Sequence, residues 1–381
     1  MDWFAKKLLD WFDLNGRKNL PWQSDITPYR VWVSEIMLQQ TQVATVIAYY
    51  ERFMQRYPDV ASLARASTDE VLHLWTGLGY YARGRNLHKA AKLIVDQYDG
   101  RFPEDQQQLE ALPGIGPSTA GAIRAIAMQQ RGVILDGNVK RVLARFHAVT
   151  GHYSQASVNK LLWQRAEKHT PIKRVDHYTQ AIMDLGATLC RRSKPDCEAC
   201  PVSARCQALA DDRIHELPTK KKAAPKPVRQ ARFFVLRLPD NRVLLEQRQQ
   251  SGLWGGLWNP PERGVELSVE EFLRQYGVAR QDVIATQSGT QFRHTFSHFH
   301  LDIEPIYIDL KRQPPMLQET NQRWVAADQL NQPAVQAAIP SDEKIGLSAA
   351  TMKIFEPERQ SPNRLTNRVN WPAIGGDPTH D

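Results

Sequence analysis

All four cysteines of the chain fall within seventeen residues: Cys190, then six residues, Cys197, two residues, Cys200, five residues and Cys206. Four thiolates gathered by short loops suit a tetrahedral zinc ion or an iron-sulfur cube, both soft-ligand sites. Spacing alone leaves the metal open. Disulfides that staple small secreted folds are scattered along the chain, which this cluster is not. Four unligated core cysteines packed so closely are the bland alternative, and in a cytoplasmic chain such spacing points to metal instead. Arg191, Arg192 and Lys194 sit between the first two thiols. They form a basic loop suited to phosphate, or else a solvated loop whose cations offset the charge of the cluster.

At 381 residues the chain exceeds one compact core, so two domains are expected. A net charge of +8 favours a polyanionic partner, although charge alone does not separate DNA, RNA and acidic membrane. The longest apolar runs, such as Val43 to Tyr50, are far short of the ~20 residues that cross a bilayer. The first residues lack a secretory signal, so a cytoplasmic protein is expected. From residue 2 to about 215 apolar residues recur every three or four positions, as in Val139, Val142, Leu143 and Phe146 or Leu72, Leu74 and Trp75. Residues 1–215 are therefore read as a helical domain. Residues 216–229, with Lys220, Lys221, Lys222, Pro225, Lys226 and Pro227, form a basic linker. A mixed α and β domain follows over 230–356. Its strands are expected over Arg232 to Leu238 and Arg242 to Glu246 around the turn Asp240-Asn241, and over His300 to Leu310, with a helix near Val269 to Tyr276. The polar tail, 357–381, is expected to be disordered, and no internal repeat is present.

Leu112-Pro113-Gly114-Ile115-Gly116 precedes the helical run Ser118 to Met128. Two glycines two apart allow a tight turn and a close approach to a ligand, with helix N–H groups placed to cradle phosphate. An ordinary helix-turn-helix connection would use the same residues. Twenty residues beyond Gly116 comes Asp136, which could simply cap the helix carrying Val139 to Phe146. Hairpin and aspartate together resemble the helix-hairpin-helix DNA glycosylase superfamily, in which the hairpin grips the DNA backbone and the following aspartate serves the chemistry. The 4Fe-4S branch of that superfamily has the same cysteine spacing. The resemblance therefore implies one 4Fe-4S cluster rather than zinc, held by Cys190, Cys197, Cys200 and Cys206.

Thr27-Pro28 is a helix start, with Thr as cap and Pro in the first turn. Along that helix Glu35 shares a row with Val31 and Leu38. A carboxyl on an apolar row is partly desolvated and its pKa raised, which suits a general acid; a surface glutamate at the edge of the row is the alternative. The segment Trp32 to Gln42 resembles the adenine-specific members of the superfamily. So do Trp75-Thr76-Gly77-Leu78-Gly79-Tyr80-Tyr81-Ala82-Arg83 and Met183-Asp184-Leu185-Gly186-Ala187. The likeness covers essentially the whole first domain. It implies that Glu35 protonates N7 of adenine and that Asp136 stabilises positive charge at the anomeric carbon. This is the division of labour that glycosidic cleavage requires. The target nucleotide must be flipped out, and the resemblance assigns duplex penetration to Gln40, Leu78 and Tyr80, with Tyr80 near the oxidised guanine. Packing at a helix end is the alternative for Leu78. Gly114, Gly116, Ser118 and Lys140 are expected to hold the DNA backbone. Strand-cutting relatives carry a lysine where this chain has Ser118, and serine cannot form the Schiff base. A monofunctional enzyme is implied.

Residues 230 to about 356 resemble the C-terminal domain of the same family, which has the fold of Nudix hydrolases. The likeness rests on Ser251 to Trp258 and Phe292 to His300. Glu262, Glu266, Glu270 and Glu271 do not form the clustered-glutamate helix that holds Mg²⁺ in those hydrolases, so binding without hydrolysis is expected. His294, His298 and His300 are close in sequence, but no cysteine or carboxylate completes a metal set. By resemblance Phe296, Ser297 and His298 sense 8-oxoguanine, with the Ser297 hydroxyl able to donate and accept at its altered edge. The expected whole is multidomain: an all-α helix-hairpin-helix domain with its 4Fe-4S cluster, plus an α/β Nudix-like domain. Its expected partner is double-stranded DNA carrying A:8-oxoguanine or A:G, with no membrane, and a monomer is expected. The rivals are a strand-cutting pyrimidine glycosylase, opposed by Ser118 and the second domain, and a non-catalytic mismatch binder, opposed by Glu35 and Asp136.

Overall fold

A computed structural model describes residues 1–221, 224–314, 321–330 and 344–356. The tail over 357–381, expected to be disordered, lies outside the described residues. Two compact units form, and their division does not follow chain order. The first comprises Met1–Ser67 and Ala82–Ala223, the second Thr68–Tyr81 and Ala224–Asp381. A segment that the helical periodicity placed in the first domain thus packs with the second.

The helices of the first unit are α1 (Trp3–Asn15), α2 (Pro28–Leu38), α3 (Val43–Arg56) and α4 (Val60–Arg65). After α5 (Thr68–Trp75), which belongs to the second unit, come α6 (Ala82–Tyr98), α7 (Gln106–Ala111), α8 (Pro117–Ala127) and α9 (Gly137–Phe146). The series closes with α10 (Ala156–His169), α11 (Val175–Thr188) and α12 (Gln207–Ala210). Local chemistry sets their starts. Asp2 accepts from the Ala5 N–H at 2.9 Å to open α1, and Thr27 accepts from Arg30 at 3.2 Å with Pro28 in the first turn of α2. On α9 the row Val139, Val142, Leu143 and Phe146 is buried, as the 3.6-residue period requires. Helix α8 packs against both α2 and α11, and α11 also packs against α9. Among the described residues no helix is long and apolar enough to cross a membrane.

The second unit is built on a mixed sheet of β1 (Val228–Arg237), β2 (Arg242–Gln247), β3 (Trp258–Asn259), β4 (Glu262–Arg263), β5 (Val283–Ser288), β6 (Phe292–Thr295), β7 (His300–Leu310) and β8 (Gln322–Ala326). Its main path runs β3-β2-β1-β7-β5, with β1 parallel to β7 and the other pairs antiparallel. Both faces are covered, so the centres of β1 and β7 read as nearly unbroken apolar runs. On one face α13 (Val269–Gln275) stacks Phe272 on Phe234 at 3.9 Å between ring centroids, over a core including Leu236, Leu244, Ile306 and Ile308. Tyr307 points to the other face and donates to Ile354 O at 2.7 Å, seating α14 (Ala349–Ile354) there.

Candidate active site

Glu35 lies on the third turn of α2, half-buried on the wall of a cleft of about 1550 Å³ in the first unit. Burial against its apolar neighbours, with a smaller push from the negative charge of Asp136, raises its carboxyl from 4.5 to about 8. At neutral pH this group holds a proton, as a general acid must.

Asp136 lines the same cleft. It is the N-cap of α9, accepting from the Val139 N–H at 2.8 Å, so the bland and the functional expectations describe one side chain. Burial raises its pKa as well, but the N–H groups of Val139 and Asn138 and the cations of Arg141 and Lys140 oppose the rise. Environment therefore separates the two acids: one lacks stabilising partners and stays protonated, while the other is surrounded by groups that favour its anion.

The loop before Asp136 is pinned to α8 by two devices. Ser118 Oγ accepts from the Leu135 N–H at 3.0 Å. Gly121 and Gly132 let backbones touch, since a Cβ on Gly121 would lie 2.1 Å from Val133 O and one on Gly132 2.1 Å from Gly121 O. Ser118 thus faces both the cleft and the loop, while Gly114, with φ of 82°, shapes the exposed hairpin turn before it. Gly121, a glycine in the middle of a helical run, carries a sequence signal, whereas Gly132 lies in the loop beyond α8 and carries none.

The cleft suits a polyanion. Arg17, Arg141, Arg145, Arg192, Lys194, Lys220 and Lys221 line it, against Glu35, Asp136 and Asp184, and Asp184 is already paired with Arg17 at 2.5 Å. Lys220 and Lys221 come from the expected linker, whose first residues dock on this unit: Leu217 is buried, and Thr219 accepts from the Gly151 N–H at 3.0 Å. Lys140 lies beside the cleft, over the ring of Tyr153 at 5.2 Å. Gln40 is exposed at the rim with φ of 57°, a left-handed conformation that costs a non-glycine residue about 1–2 kcal/mol. Arg83 holds that turn, donating to Ile36 O at 2.8 Å, Met37 O at 2.9 Å and Thr41 Oγ1 at 3.1 Å. Its part is invisible in the sequence, because its targets are carbonyls.

Cys190, Cys197, Cys200 and Cys206 line one pocket with Val142, Phe146 and Leu185. No three His, Cys, Asp or Glu side chains among the described residues converge closely enough to hold a single metal ion. Arg145, 2 % exposed, donates to Cys190 Sγ at 3.4 Å. Arg141 Nε donates to Cys190 O at 2.7 Å, while its Nη2 reaches Asn138 Oδ1 at 2.7 Å. Helix α9 therefore carries Asp136 at its start and contacts the cysteine loop from the same body.

In the second unit β6 and β7 form a hairpin closed by the Phe296 N–H to Phe299 O bond at 2.9 Å. Ser297 and His298 are its exposed tip, and Ser297 Oγ lies 3.2 Å from His298 Nδ1. Phe296 is held against Trp254 at 5.1 Å, His294 at 4.6 Å and Phe299 at 4.6 Å, and Lys226 Nζ donates to Phe296 O at 2.7 Å. His294 is thus an aromatic packing partner. Glu262 pairs with Arg248, and Glu271 caps α13 through Ser268, so both carboxylates serve local structure. Of the residues expected to penetrate a duplex, Tyr80 is 50 % exposed with φ of 48°, whereas Leu78 is 5 % exposed. Leu78 packs at the end of α5, its N–H bonded to Trp75 O at 3.0 Å.

Residues 33–168 match the family model of the HhH-GPD superfamily of base excision DNA repair proteins, and residues 232–341 match that of the NUDIX domain. The chain is 36% identical to the adenine DNA glycosylase of Buchnera aphidicola subsp. Baizongia pistaciae, over 81% of this chain and 87% of that one. With the adenine DNA glycosylase of Mus musculus it shares 33% identity, over 96% of this chain and 80% of that one. With that of Homo sapiens it shares 34%, over 88% and 72%. A solved thermostable thymine-DNA glycosylase superposes with a TM-score of 0.50 at 27% identity, covering 55% of this chain and 95% of that chain.

Proposed function

The chain belongs to the adenine DNA glycosylase family, a DNA-binding branch of the base excision repair superfamily, and from that premise we propose that it hydrolyses the N-glycosidic bond of adenine mispaired with 8-oxoguanine or guanine. The observation that carries the reading is the pair of acids in one cationic cleft, with Glu35 raised to about 8 beside an Asp136 surrounded by N–H groups and cations. Glu35 donates its proton to N7 of the flipped adenine, and Asp136 stabilises the oxocarbenium-like sugar as the bond breaks. Water completes the reaction, because Ser118 offers no amine, and an abasic site remains. Gln40 and Tyr80 fill the space in the duplex, with Leu78 supporting the Tyr80 turn. The Gly114–Gly116 hairpin and Lys140 hold the backbone. Ser297, at the hairpin tip with Phe296 and His298, reads the base opposite.

Cys190, Cys197, Cys200 and Cys206 would hold one 4Fe-4S cluster. The fit rests on four soft donors around one pocket, with Arg145 directed at Cys190. When bound, the cluster cross-links the loop that α9 contacts through Arg141 and Arg145. A brown protein absorbing broadly at roughly 400 nm is the expected signature; a colourless, zinc-containing protein would overturn the assignment.

Duplexes carrying A opposite 8-oxoguanine, A opposite G, and thymine glycol test the function. Free adenine from the first two, with strand breaks only after alkali, is expected. Breakage at thymine glycol without alkali would replace this reading with a strand-cutting pyrimidine glycosylase, and binding without base release would replace it with a mismatch binder.

A further inference from the structure

Thr68–Tyr81 sits within the helical half of the sequence but packs in the second unit, and its attachments there are specific. Asp69 accepts from Gln247 Nε2 at 3.0 Å and Trp258 Nε1 at 3.3 Å. His73 Nδ1 lies 3.1 Å from Ile345 O. Thr76 Oγ1 accepts from the Leu347 N–H at 3.3 Å. The buried Tyr81 hydroxyl accepts from the Gly77 N–H at 3.3 Å and donates to Leu347 O at 2.7 Å. Leu72 fits so closely that a Cβ on Gly346 would lie 2.6 Å from its own Cβ.

Between these anchors the chain makes a turn with Gly77 at φ 92°, Gly79 at φ 71° and Tyr80 at φ 48°. Trp75 Nε1 donates to Gly79 O across it at 3.1 Å. A tyrosine in this conformation persists only where its surroundings over-determine it. Those surroundings include the anchors just named, and what they support is a half-exposed aromatic ring.

We propose that Tyr81 and Asp69 are positioning residues for recognition of the base opposite adenine: they fasten the Tyr80 turn to the unit that carries Ser297. The ring that stacks on the lesion and the hydroxyl that reads its edge then belong to one body, separate from the unit that holds Glu35. This rests on the reading of Tyr80 and Ser297 given under Proposed function.

Tyr81→Phe removes the two hydroxyl bonds named above and keeps the ring; Asp69→Ala removes a second of these anchors. In the full chain, binding to duplexes with a non-hydrolysable adenine analogue opposite 8-oxoguanine or guanine gives the preference between them. Single-turnover excision gives the chemistry. Each variant is expected to lower the preference about fivefold, the scale of a lost buried hydrogen bond, while excision opposite guanine stays within about twofold. In a Tyr80→Ala background Tyr81→Phe is expected to have no further effect on preference. An unchanged preference in both variants, or a Tyr81→Phe effect that persists without Tyr80, overturns the proposal. Tyr80→Ala and Ser297→Ala run in parallel separate the layers. If neither moves the preference, the lesion-reading assignment fails and this proposal falls with it; if they do and the anchor variants do not, only the fastening fails.

Discussion

The cleft of the first unit and the hairpin tip of the second are both polar sites, but they are built oppositely. Glu35 and Asp136 sit on helix segments, recessed and desolvated, and the loop leading to Asp136 is fixed by glycine contacts and a serine bond. Ser297 stands in water at a turn whose order comes from stacked aromatic rings beneath it. Proton transfer near neutral pH needs a carboxyl pKa far from its usual value, and at Glu35 burial is the main cause. Reading a base edge needs reach, and a desolvated serine would have to be hydrogen-bonded within the protein. The contrast implies a division: changes in the first unit should alter excision whatever base lies opposite, and changes in the second should alter the preference between opposite bases.

The hardest test of that division is Glu35→Gln. Single-turnover excision is expected to fall roughly a thousandfold on both mispairs with binding retained; near-normal rates would remove Glu35 from the chemistry. The pH profile sharpens the point. Because protonated Glu35 and ionised Asp136 are the active forms, the excision rate should hold from the pH at which Asp136 ionises up to about pH 8 and fall about tenfold per unit above it. Stability changes in the same direction but over a lower pH range. The folded pKa exceeds the unfolded one, so this group's contribution is intact below 4.5 and lost as pH rises towards 8. Glu35→Gln should therefore be more stable than the parent by roughly 2 kcal/mol near pH 8 and by little at pH 4, as followed by denaturant unfolding.

Gly121→Ala asks whether the Asp136 loop depends on its backbone contact. A methyl 2.1 Å from Val133 O should cost about 2 kcal/mol of stability and slow excision equally on both mispairs; a changed ratio between mispairs would blur the division. Ser297→Ala is the smallest effect, a loss of about 1 kcal/mol in preference for 8-oxoguanine over guanine. Competition binding measures it, and an unchanged ratio would move recognition elsewhere on the second unit.

The parts legible in the sequence were those with local signatures. A cap followed by proline, an apolar row and a short cysteine spacing located α2, Glu35, α9 and the thiols, because each is set by neighbours a few residues away. Strand β7 was legible for the same reason, from its alternation over 300–304 and the apolar run that follows it. What escaped was carried by long separations. The helical period of Leu72 and Trp75 shows that a face is buried but not against what, and Asp69 meets Trp258 across 189 positions. Arg83 bonding to carbonyls and Gly121 touching Gly132 leave no residue-type pattern at their targets. The short strands β5 and β8 lack the extended alternation that marks β7, and their pairing depends on strands elsewhere in the chain.

The bond between Tyr81 and Leu347 spans 266 positions, and that span has a meaning in time. A ribosome adding about 5–20 residues per second needs roughly 13–50 s to travel it. Throughout that interval the first unit can close around its own helices while Asp69, Leu72 and Tyr81 wait for partners not yet synthesised. The loop that completes recognition is among the first parts of the chain to be made and among the last to be secured, so a nascent chain can acquire its acid pair well before it can discriminate.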